Sequence, residues 1–300
     1  MFVRQGRVGI AEIYYVPAPM PHPLFELGGH GPLVILLPAN GFPPESYLPA
    51  LEPLFSRYRV VSLPPRGMWE DAGAAPTRPG TWLTLAEDLL AGMRRHALPP
   101  AIVIGHSFGA VSGLLSAVRD RARFRALGLL DPTIFPPRLL AEFAEERRKG
   151  ATSSRPLVRA ALTRRDRFAG EAEAFTHWRG KPLFADWPED SLRRYTQAML
   201  LPAAEGGFRL RWRPDWEAHY YESIYTESWD DLAKLDPALP LLVVRGERSD
   251  TYLPEAAALL SARAPWARQR SIAGRGHFFP QSAPAETSRV LLDWLEAAGL

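Results

Sequence analysis

The sequence predicts an α/β protein built on a mostly parallel sheet flanked by helices. Over residues 7–130, short apolar runs alternate with longer amphipathic segments, which is the pattern of strands linked by helices. This alternation stops after Asp131 and resumes at Pro240, with helical, aromatic-rich sequence between them. A serine with a glycine two residues away on each side, in the run 105–109, falls between a predicted strand and a predicted helix. These observations indicate a sheet-based core interrupted by an insertion.

The predicted strands are short apolar runs bounded by glycine or proline, as expected for strands buried on both faces. These runs span residues 7–16, 33–37, 59–62, 101–105 and 126–130, and two further strands are predicted after the insertion, at residues 240–245 and 267–272. Helices are predicted at residues 46–57, 81–95, 108–119, 254–262 and 284–298. The core domain therefore comprises residues 1–132 and 233–300, and residues 133–232 form a helical cap, or lid.

Composition excludes several kinds of site. The chain has 300 residues, a formal net charge of +3 and no cysteine, so disulfides, thiolate nucleophiles and cysteine-bound metals are excluded. The densest basic run, residues 147–167, is interrupted by Asp166, which favours a solvated helix face over a nucleic-acid site. The sequence shows neither a signal core nor an apolar stretch of spanning length. We expect a cytoplasmic monomer or homodimer that acts on a small molecule without a metal or cofactor.

Ser107 is the predicted nucleophile, in the turn Gly105-His-Ser-Phe-Gly109. A sharp turn from strand to helix strains the backbone of the nucleophile, and glycines let the two elements approach closely. The amino terminus of the following helix favours negative charge beside the serine oxygen. The alternative is a glycine-rich turn with a bystander serine.

A serine hydroxyl becomes a good nucleophile only when a base removes its proton. Among the seven histidines, His277 lies in a glycine-bearing loop after the last predicted strand, where it would reach the same sheet edge as Ser107. His106 adjoins the nucleophile, but its side chain must point away from the serine oxygen. We therefore predict His277 as the base and assign His106 to substrate binding.

The base needs a carboxylate that holds its tautomer. Asp250 follows a predicted strand and completes the chain order serine, aspartate, histidine, so we predict it as the acid. Asp131 follows another strand and is the alternative acid, although it could simply cap the turn with Pro132. Glu247 is a third candidate.

Acyl transfer also needs two backbone N–H donors for the oxyanion. We predict those of Phe108, directly after the nucleophile, and of Phe42, in the loop 38–44. Gly41 permits an unusual turn before Phe42. Asn40 and Gly41 are predicted to contact substrate, and the alternative is that this pair forms a simple tight turn.

Taken in order, these loops resemble those of the α/β-hydrolase superfamily, in members with a serine nucleophile and a cap. The run Ala39-Asn-Gly-Phe-Pro43 is similar to a subgroup in which His-Ala-Asn-Gly-Phe-Pro is usual, with Pro38 here replacing the histidine. The resemblance implies an α/β-hydrolase fold with a helical cap inserted after the sixth strand of that fold. The serine at the elbow argues against dehalogenase and epoxide hydrolase chemistry, because those relatives use aspartate there.

The insertion is rich in large aromatic rings. Trp212, Trp216 and Tyr220 are predicted to contact an apolar or aromatic substrate. Two alternatives stay open: the rings form the cap's own core, or they form a surface for lipid or a partner.

The predicted activity is hydrolysis of a carboxylic ester, or a related acyl bond, of a small apolar or aromatic substrate through an acyl-enzyme. This is a carboxylesterase-like reaction. One alternative is carbon–carbon bond hydrolysis or perhydrolysis on the same triad. The other is a non-catalytic ligand-binding member of the fold.

Overall fold

The computed structural model describes residues 3–4, 14–15, 22–70, 72–77 and 80–300. Within these ranges the strands are β1 (Val3–Arg4), β2 (Tyr14–Tyr15), β3 (Phe25–Gly28), β4 (Leu33–Leu37), β5 (Arg59–Ser62), β6 (Ala101–His106), β7 (Phe124–Leu130), β8 (Arg167–Phe168), β9 (Leu200–Pro202), β10 (Phe208–Leu210), β11 (Leu241–Gly246) and β12 (Arg268–Ile272). The main sheet has the order β1-β2-β3-β5-β4-β6-β7-β11-β12. Along this order, neighbouring strands from β1 to β5 pair in antiparallel orientation, and those from β5 through β4 to β12 pair in parallel orientation.

The helices flank this sheet or belong to the insertion. They are α1 (Leu48–Leu51), α2 (Leu83–Arg95), α3 (Phe108–Arg119), α4 (Pro137–Arg148), α5 (Pro156–Thr163), α6 (Glu171–Arg179), α7 (Glu189–Met199), α8 (Pro214–Glu222), α9 (Ser228–Leu232), α10 (Pro254–Arg263), α11 (Phe279–Ser282) and α12 (Pro284–Ala297). All five residues of β4 and all six of β6 are buried, as expected for central parallel strands. Helix α3 packs against β6 and β7 and is apolar along most of its length. No helix within the described residues is long and apolar enough to cross a membrane.

The predicted architecture, a mostly parallel sheet flanked by helices, is confirmed, with most of its strands and helices within two residues of their predicted bounds. The predicted helix over 46–57 is broken into α1 and two short 3-10 turns, since Pro49 and Pro53 interrupt its hydrogen bonds. Strand β3 was not predicted. The predicted strand over 7–16 lies mostly outside the described residues, and β2 is its described part.

The insertion lies between β7 and β11 and contains α4 to α9. It also contains a small antiparallel sheet, in the order β8-β10-β9, which the helical pattern of the sequence did not predict. Rings of the insertion join the same hydrophobic core as the main sheet. For example, the rings of Trp187 and Tyr195 lie 6.0 and 5.5 Å from that of Phe42, which belongs to the core domain.

The carboxyl ends of the parallel strands place the candidate functional residues at one edge of the sheet. Strand β6 leads directly into Ser107, and β7 leads directly into Asp131. Strand β12 leads into the loop that carries His277, and β4 leads into the loop 38–43. In open α/β sheets, ligands bind outside the carboxyl ends of the strands, so this edge is where a site is expected.

Candidate active site

Ser107 occupies a sharp turn in which its backbone is left-handed, with φ 59° and ψ −125°. Both neighbouring glycines are required by close backbone contacts. A Cβ atom on Gly105 would lie 2.5 Å from the Cα atom of Ala110, and one on Gly109 would lie 2.4 Å from the carbonyl oxygen of Leu37. The strand and helix can therefore meet only because these two positions lack a side chain.

Ser107, His277 and Asp131 form a series of hydrogen bonds. The Nε2 atom of His277 lies 3.0 Å from Ser107 Oγ, and its Nδ1 atom lies 2.9 Å from Asp131 Oδ1. The Asp131 carboxyl is fully buried, whereas 10% of the His277 side chain remains exposed. A carboxylate only accepts, so Nδ1 donates to Asp131 and Nε2 is left free to accept the serine proton.

Asp131, the alternative acid predicted from the sequence, is held by donors from the end of β11 and from the loop after it. Its Oδ2 atom accepts the N–H of Gly246 at 2.7 Å, and its Oδ1 atom accepts the hydroxyl of Ser249 at 2.5 Å and the N–H of Tyr252 at 3.3 Å. Together with the His277 Nδ1–H, these donors satisfy a carboxylate that burial would otherwise make costly. They also fix its orientation toward the imidazole.

Asp250, the acid favoured from the sequence, does not contact His277, and its expected placement is corrected here. The N–H of Ser249 donates to the carbonyl of Gly246 at 2.9 Å, and this turn directs the serine inward while Asp250 is exposed. Asp250 accepts the hydroxyl of its neighbour Thr251 at 3.3 Å. Glu247, the third candidate, instead accepts a backbone N–H from the loop before the histidine, at 2.5 Å.

His106 lies behind the base rather than in contact with the cavity, so its expected role in substrate binding is corrected too. Its Nε2 atom lies 3.0 Å from the carbonyl oxygen of His277, and its Nδ1 atom lies 2.7 Å from the hydroxyl of Tyr47. A carbonyl can only accept, so Nε2 carries the proton and Nδ1 accepts from Tyr47. Burial lowers the pKa of His106 well below its ordinary value and keeps the ring neutral.

Tyr47 extends this chain to the loop after β4. Its hydroxyl accepts the N–H of Ala39 at 2.9 Å while it donates to His106. A continuous series of hydrogen bonds therefore connects the backbone beside Asn40 with the backbone of His277. Tyr47 could not be predicted from the sequence, since nothing in its local pattern distinguishes it from an ordinary buried helix residue.

The predicted oxyanion donors differ in their availability. The N–H of Phe42 donates to the carbonyl of Ala39 at 3.1 Å and is therefore used within its own turn, which corrects that assignment. Phe108 is the first residue of α3, so its N–H has no partner within the helix. The N–H of Asn40 also makes no hydrogen bond within the described part of the chain.

Asn40 and Gly41 form the tight turn that the sequence analysis left open. The side-chain amide of Asn40 donates to the carbonyl of Glu217 at 2.9 Å, while its Oδ1 atom is buried without a hydrogen-bond partner in the described structure. Gly41 has a φ of 82°, and a Cβ atom there would lie 3.1 Å from the Glu217 carboxyl. Asn40 lines the cavity beside Ser107, whereas Gly41 packs against the insertion.

A cavity of about 170 Å³ opens directly onto Ser107 and His277. Its apolar wall is formed by Ala39, Trp82, Phe108, Phe135, Leu157, Ile224 and Phe278. Its polar lining comprises Asn40, Thr133, Tyr221, Asp250 and Thr251. Thr133 and Phe135 follow the end of β7 closely and could have been found from that position, but the other unpredicted lining residues carry no local signal.

The aromatic residues predicted to contact substrate instead support the cavity wall from behind. The ring of Tyr220 lies 5.1 Å from that of Phe108, the ring of Trp212 lies 6.4 Å from it, and Trp216 packs on Tyr220 at 5.7 Å. All three are buried, and none of them lines the cavity. Their arrangement matches the alternative in which rings of the insertion pack as core.

Comparison with known proteins yields one consistent family. A family model described as "Alpha/beta hydrolase family" matches residues 34–290. The curated relative "Putative carbamate hydrolase RutD" of Caulobacter segnis is 23% identical over 267 residues, which cover 89% of this chain and 92% of the relative.

Solved structures share the fold at low sequence identity. The crystal structure of E-2-(acetamidomethylene)succinate hydrolase is similar with a TM-score of 0.72 at 19% identity, covering 99% of this chain and 100% of the other. The enol-lactonase from Burkholderia xenovorans LB400 gives a TM-score of 0.60 at 19% identity, with coverage of 89% and 92%. Since the family model spans Ser107, Asp131 and His277 together with most of the sheet, the chain belongs to the alpha/beta hydrolase family and is a hydrolase of that fold.

Proposed function

We propose that this hydrolase cleaves a carboxylic ester, or a closely related acyl bond, of a small and largely apolar substrate through an acyl-enzyme on Ser107. The observation that carries the proposal is the hydrogen-bond series from Ser107 Oγ through His277 to Asp131, with distances of 3.0 and 2.9 Å. Both distances fall within the range required for a base to accept the serine proton and for a carboxylate to orient the base.

In the first step, Ser107 Oγ attacks the substrate carbonyl while its proton passes to Nε2 of His277. Asp131 stabilises the imidazolium that forms, because its carboxylate is already ordered by the loop after β11. The imidazolium then donates the proton to the leaving oxygen. In the second step, water attacks the acyl group while His277 accepts its proton. The bond from the acyl carbon to Ser107 Oγ then breaks, His277 returns the proton to Oγ, and the carboxylic acid leaves.

The developing oxyanion needs two preorganised donors. We assign them to the backbone N–H groups of Phe108 and Asn40, and not to that of Phe42. Both residues line the cavity beside Ser107, and neither N–H makes a hydrogen bond within the described residues. The hydrogen bond from Phe42 to Ala39 supports this revision, since a donor already used in a turn is not free for substrate.

The cavity supports a compact acyl group. Its volume of about 170 Å³ is close to that of a cavity that holds one benzene-sized group, roughly 150 Å³. Seven of its lining residues are apolar, and burial of each methylene of a substrate would contribute about 0.8 kcal/mol of binding free energy. Short linear or small aromatic acyl groups fit this description best.

Substitution of the nucleophile tests the proposal. With p-nitrophenyl hexanoate as substrate, Ser107→Ala is expected to lower kcat by at least about 10³-fold. Ser107, His277 and Asp131 act together, so removal of one of them disables all three. A fluorophosphonate probe should label the native protein, and peptide mass mapping should locate the label on Ser107.

The matched control is Ser261→Ala, which removes an exposed hydroxyl on α10, remote from the cavity lining. This variant should keep wild-type activity and labelling. Full activity of Ser107→Ala, or absence of labelling in the native protein, would contradict the proposal.

A further inference from the structure

We propose that Asp250 makes this cavity select substrates whose non-reacting end carries an ammonium group, and disfavour those that end in a carboxylate. The inference rests on the proposed acyl-transfer function and adds the charge class of the substrate. It starts from a carboxylate at the cavity that the hydrogen-bond series of Ser107, His277 and Asp131 does not use.

Asp250 lines the cavity and is exposed, and it makes no ion pair with any described residue. Its one described hydrogen bond comes from the hydroxyl of Thr251, at 3.3 Å. A carboxylate has room for several donors, so a bound ammonium group could approach it without displacing a protein partner. Asp131 differs, since it is buried and its acceptor sites are occupied.

The arginines nearest to Asp250 in the chain, and the arginine in the loop that carries His277, contact other groups. Arg245 donates to the carbonyl of Tyr252, at 2.7 Å. Arg248 donates to the carbonyl of Gly274, and Arg275 pairs with a carboxylate of the insertion. None of these guanidinium groups neutralises Asp250 or lines the cavity.

A buried ion pair behind the cavity does not change the net charge of the cavity. Arg164 pairs with Glu217, whose carbonyl accepts the side-chain amide of Asn40. Since the pair is neutral overall, it offers no free cation to a substrate carboxylate. Among the described residues that line the cavity there is no lysine or arginine, so the net charge of its lining is negative.

The remaining polar groups of the lining are neutral. Burial raises the pKa of the Tyr221 phenol, which therefore stays protonated. The hydroxyl of Thr133 is buried without a partner in the described structure and can accept from an ammonium group as well as donate. Phe135 and Phe278 present aromatic rings in the same cavity, and the faces of such rings attract cations.

A set of esters that differ only in their terminal group tests the inference. The p-nitrophenyl esters of heptanoic acid, 6-aminohexanoic acid and heptanedioic acid each place five methylenes between the carbonyl and a methyl, an ammonium or a carboxylate group. A second set with seven methylenes covers a longer reach. We expect kcat/KM for the amino ester to exceed that for the acidic ester by about tenfold at one length or both, as for solvent-exposed charge contacts.

Variants of the carboxylate identify its contribution. Asp250→Asn should bring the two charged esters to within about threefold of each other, and Asp250→Lys should reverse the preference. The heptanoate ester, which has no terminal charge, gives the reference rate in each variant. The matched control is Glu255→Gln, which removes an exposed carboxylate on α10 outside the cavity lining and should preserve the wild-type ratio.

The outcomes separate this inference from the proposed function. If the wild type hydrolyses all three esters at similar rates at both lengths, or if Asp250→Asn leaves the ratio unchanged, the charge selection is overturned and the acyl-enzyme stands. If Asp250→Asn abolishes activity on the neutral ester, Asp250 belongs to the catalytic unit and the inference is overturned. If no ester is hydrolysed and Ser107 is not labelled, the proposed function fails and the inference fails with it.

Discussion

The imidazole Nδ1 atom of His277 lies 2.9 Å from Oδ1 of Asp131, a residue 146 positions earlier in the chain. Asp131 directly follows β7 and His277 follows β12, so the contact spans the intervening strand β11. The loop after β11 bridges this gap by donating to the same carboxylate. The orientation of the imidazole therefore depends on three neighbouring strands.

The first prediction concerns the two aspartates. Asp131→Asn is expected to lower kcat by about 10³- to 10⁴-fold, because an amide can donate to Nδ1 and hold the histidine in the wrong tautomer. Asp250→Asn serves as the comparison and should stay within about threefold of wild type on a neutral ester. Steady-state kinetics with p-nitrophenyl hexanoate measure both, and a larger loss in Asp250→Asn than in Asp131→Asn would reverse the assignment.

Ser249 is predicted to act as a positioning residue, since its hydroxyl donates to Asp131 at 2.5 Å. Ser249→Ala should lower kcat by about tenfold, in line with the loss of a hydrogen bond to a charged group. With one donor fewer, the carboxylate stabilises the imidazolium more strongly, so the acid limb of the pH profile of kcat/KM should move to higher pH. A purely structural role would leave that limb in place, and Ser261→Ala provides the exposed-serine control.

Gly109 is predicted to tolerate no side chain. In Gly109→Ala the new Cβ atom would lie 2.4 Å from one backbone oxygen and 2.6 Å from the next, which forces α3 away from β4. We expect a loss of about 1–3 kcal/mol in the free energy of unfolding, together with loss of activity. Urea unfolding measures the loss in the free energy of unfolding. Gly170→Ala is the control, because that position has open space for a Cβ atom, and equal stability losses in the two variants would contradict the prediction.

The buried His106 predicts a pH dependence of folding. Its pKa is lowered in the folded state, so below about pH 6.5, the ordinary histidine value, the unfolded chain binds a proton that the folded chain does not. The free energy of unfolding should therefore decrease as the pH falls from 7 toward 5, by up to about 1.4 kcal/mol per pH unit from this group.

The burial-lowered pKa values of His22, His177 and His219 add to the same slope, so the contribution of His106 is read as a difference. Urea unfolding of wild type and His106→Gln at several pH values gives that difference. The variant should show the shallower slope, and equal slopes would show that His106 takes up its proton without unfolding.

Much of the site could be predicted because Ser107 and His277 lie in short segments with strong local requirements. The elbow needs glycines at fixed positions around the serine, and the histidine loop follows the last strand of the sheet. Strands β4, β6 and β11 were also predictable, since buried parallel strands are continuous apolar runs. Their carboxyl ends share one edge, which made the grouping of the loops predictable as well.

The choice between Asp131 and Asp250 could not be made from the sequence in the same way. Each follows a strand of the same sheet edge, and each precedes His277 in the chain. The difference arises from the turn that brings Ser249 and Tyr252 onto one carboxylate and leaves the other exposed. Such a turn depends on long-range hydrogen bonds that a local pattern does not contain.

The oxyanion loop and the insertion show the same difficulty. Phe42 follows a turn-forming glycine, but whether its N–H points to substrate or to Ala39 depends on one backbone rotation. For Trp212 and Tyr220, aromatic composition alone cannot distinguish a ring that faces a cavity from one that packs behind it. Hydrophobicity favours burial in both cases. These two rings lie behind the cavity because Phe108 packs between them and the cavity.

The position of the Phe42 ring limits how freely the insertion could be exchanged for that of another hydrolase. This ring stacks on Phe278, the residue after His277, at 4.6 Å, and it also packs against Trp187 and Tyr195 of the insertion. If a chimaera received a foreign insertion without two equivalent rings, a cavity would form beside His277 and the oxyanion loop. Specificity in this enzyme would therefore be re-engineered more safely by altering individual lining residues than by swapping modules.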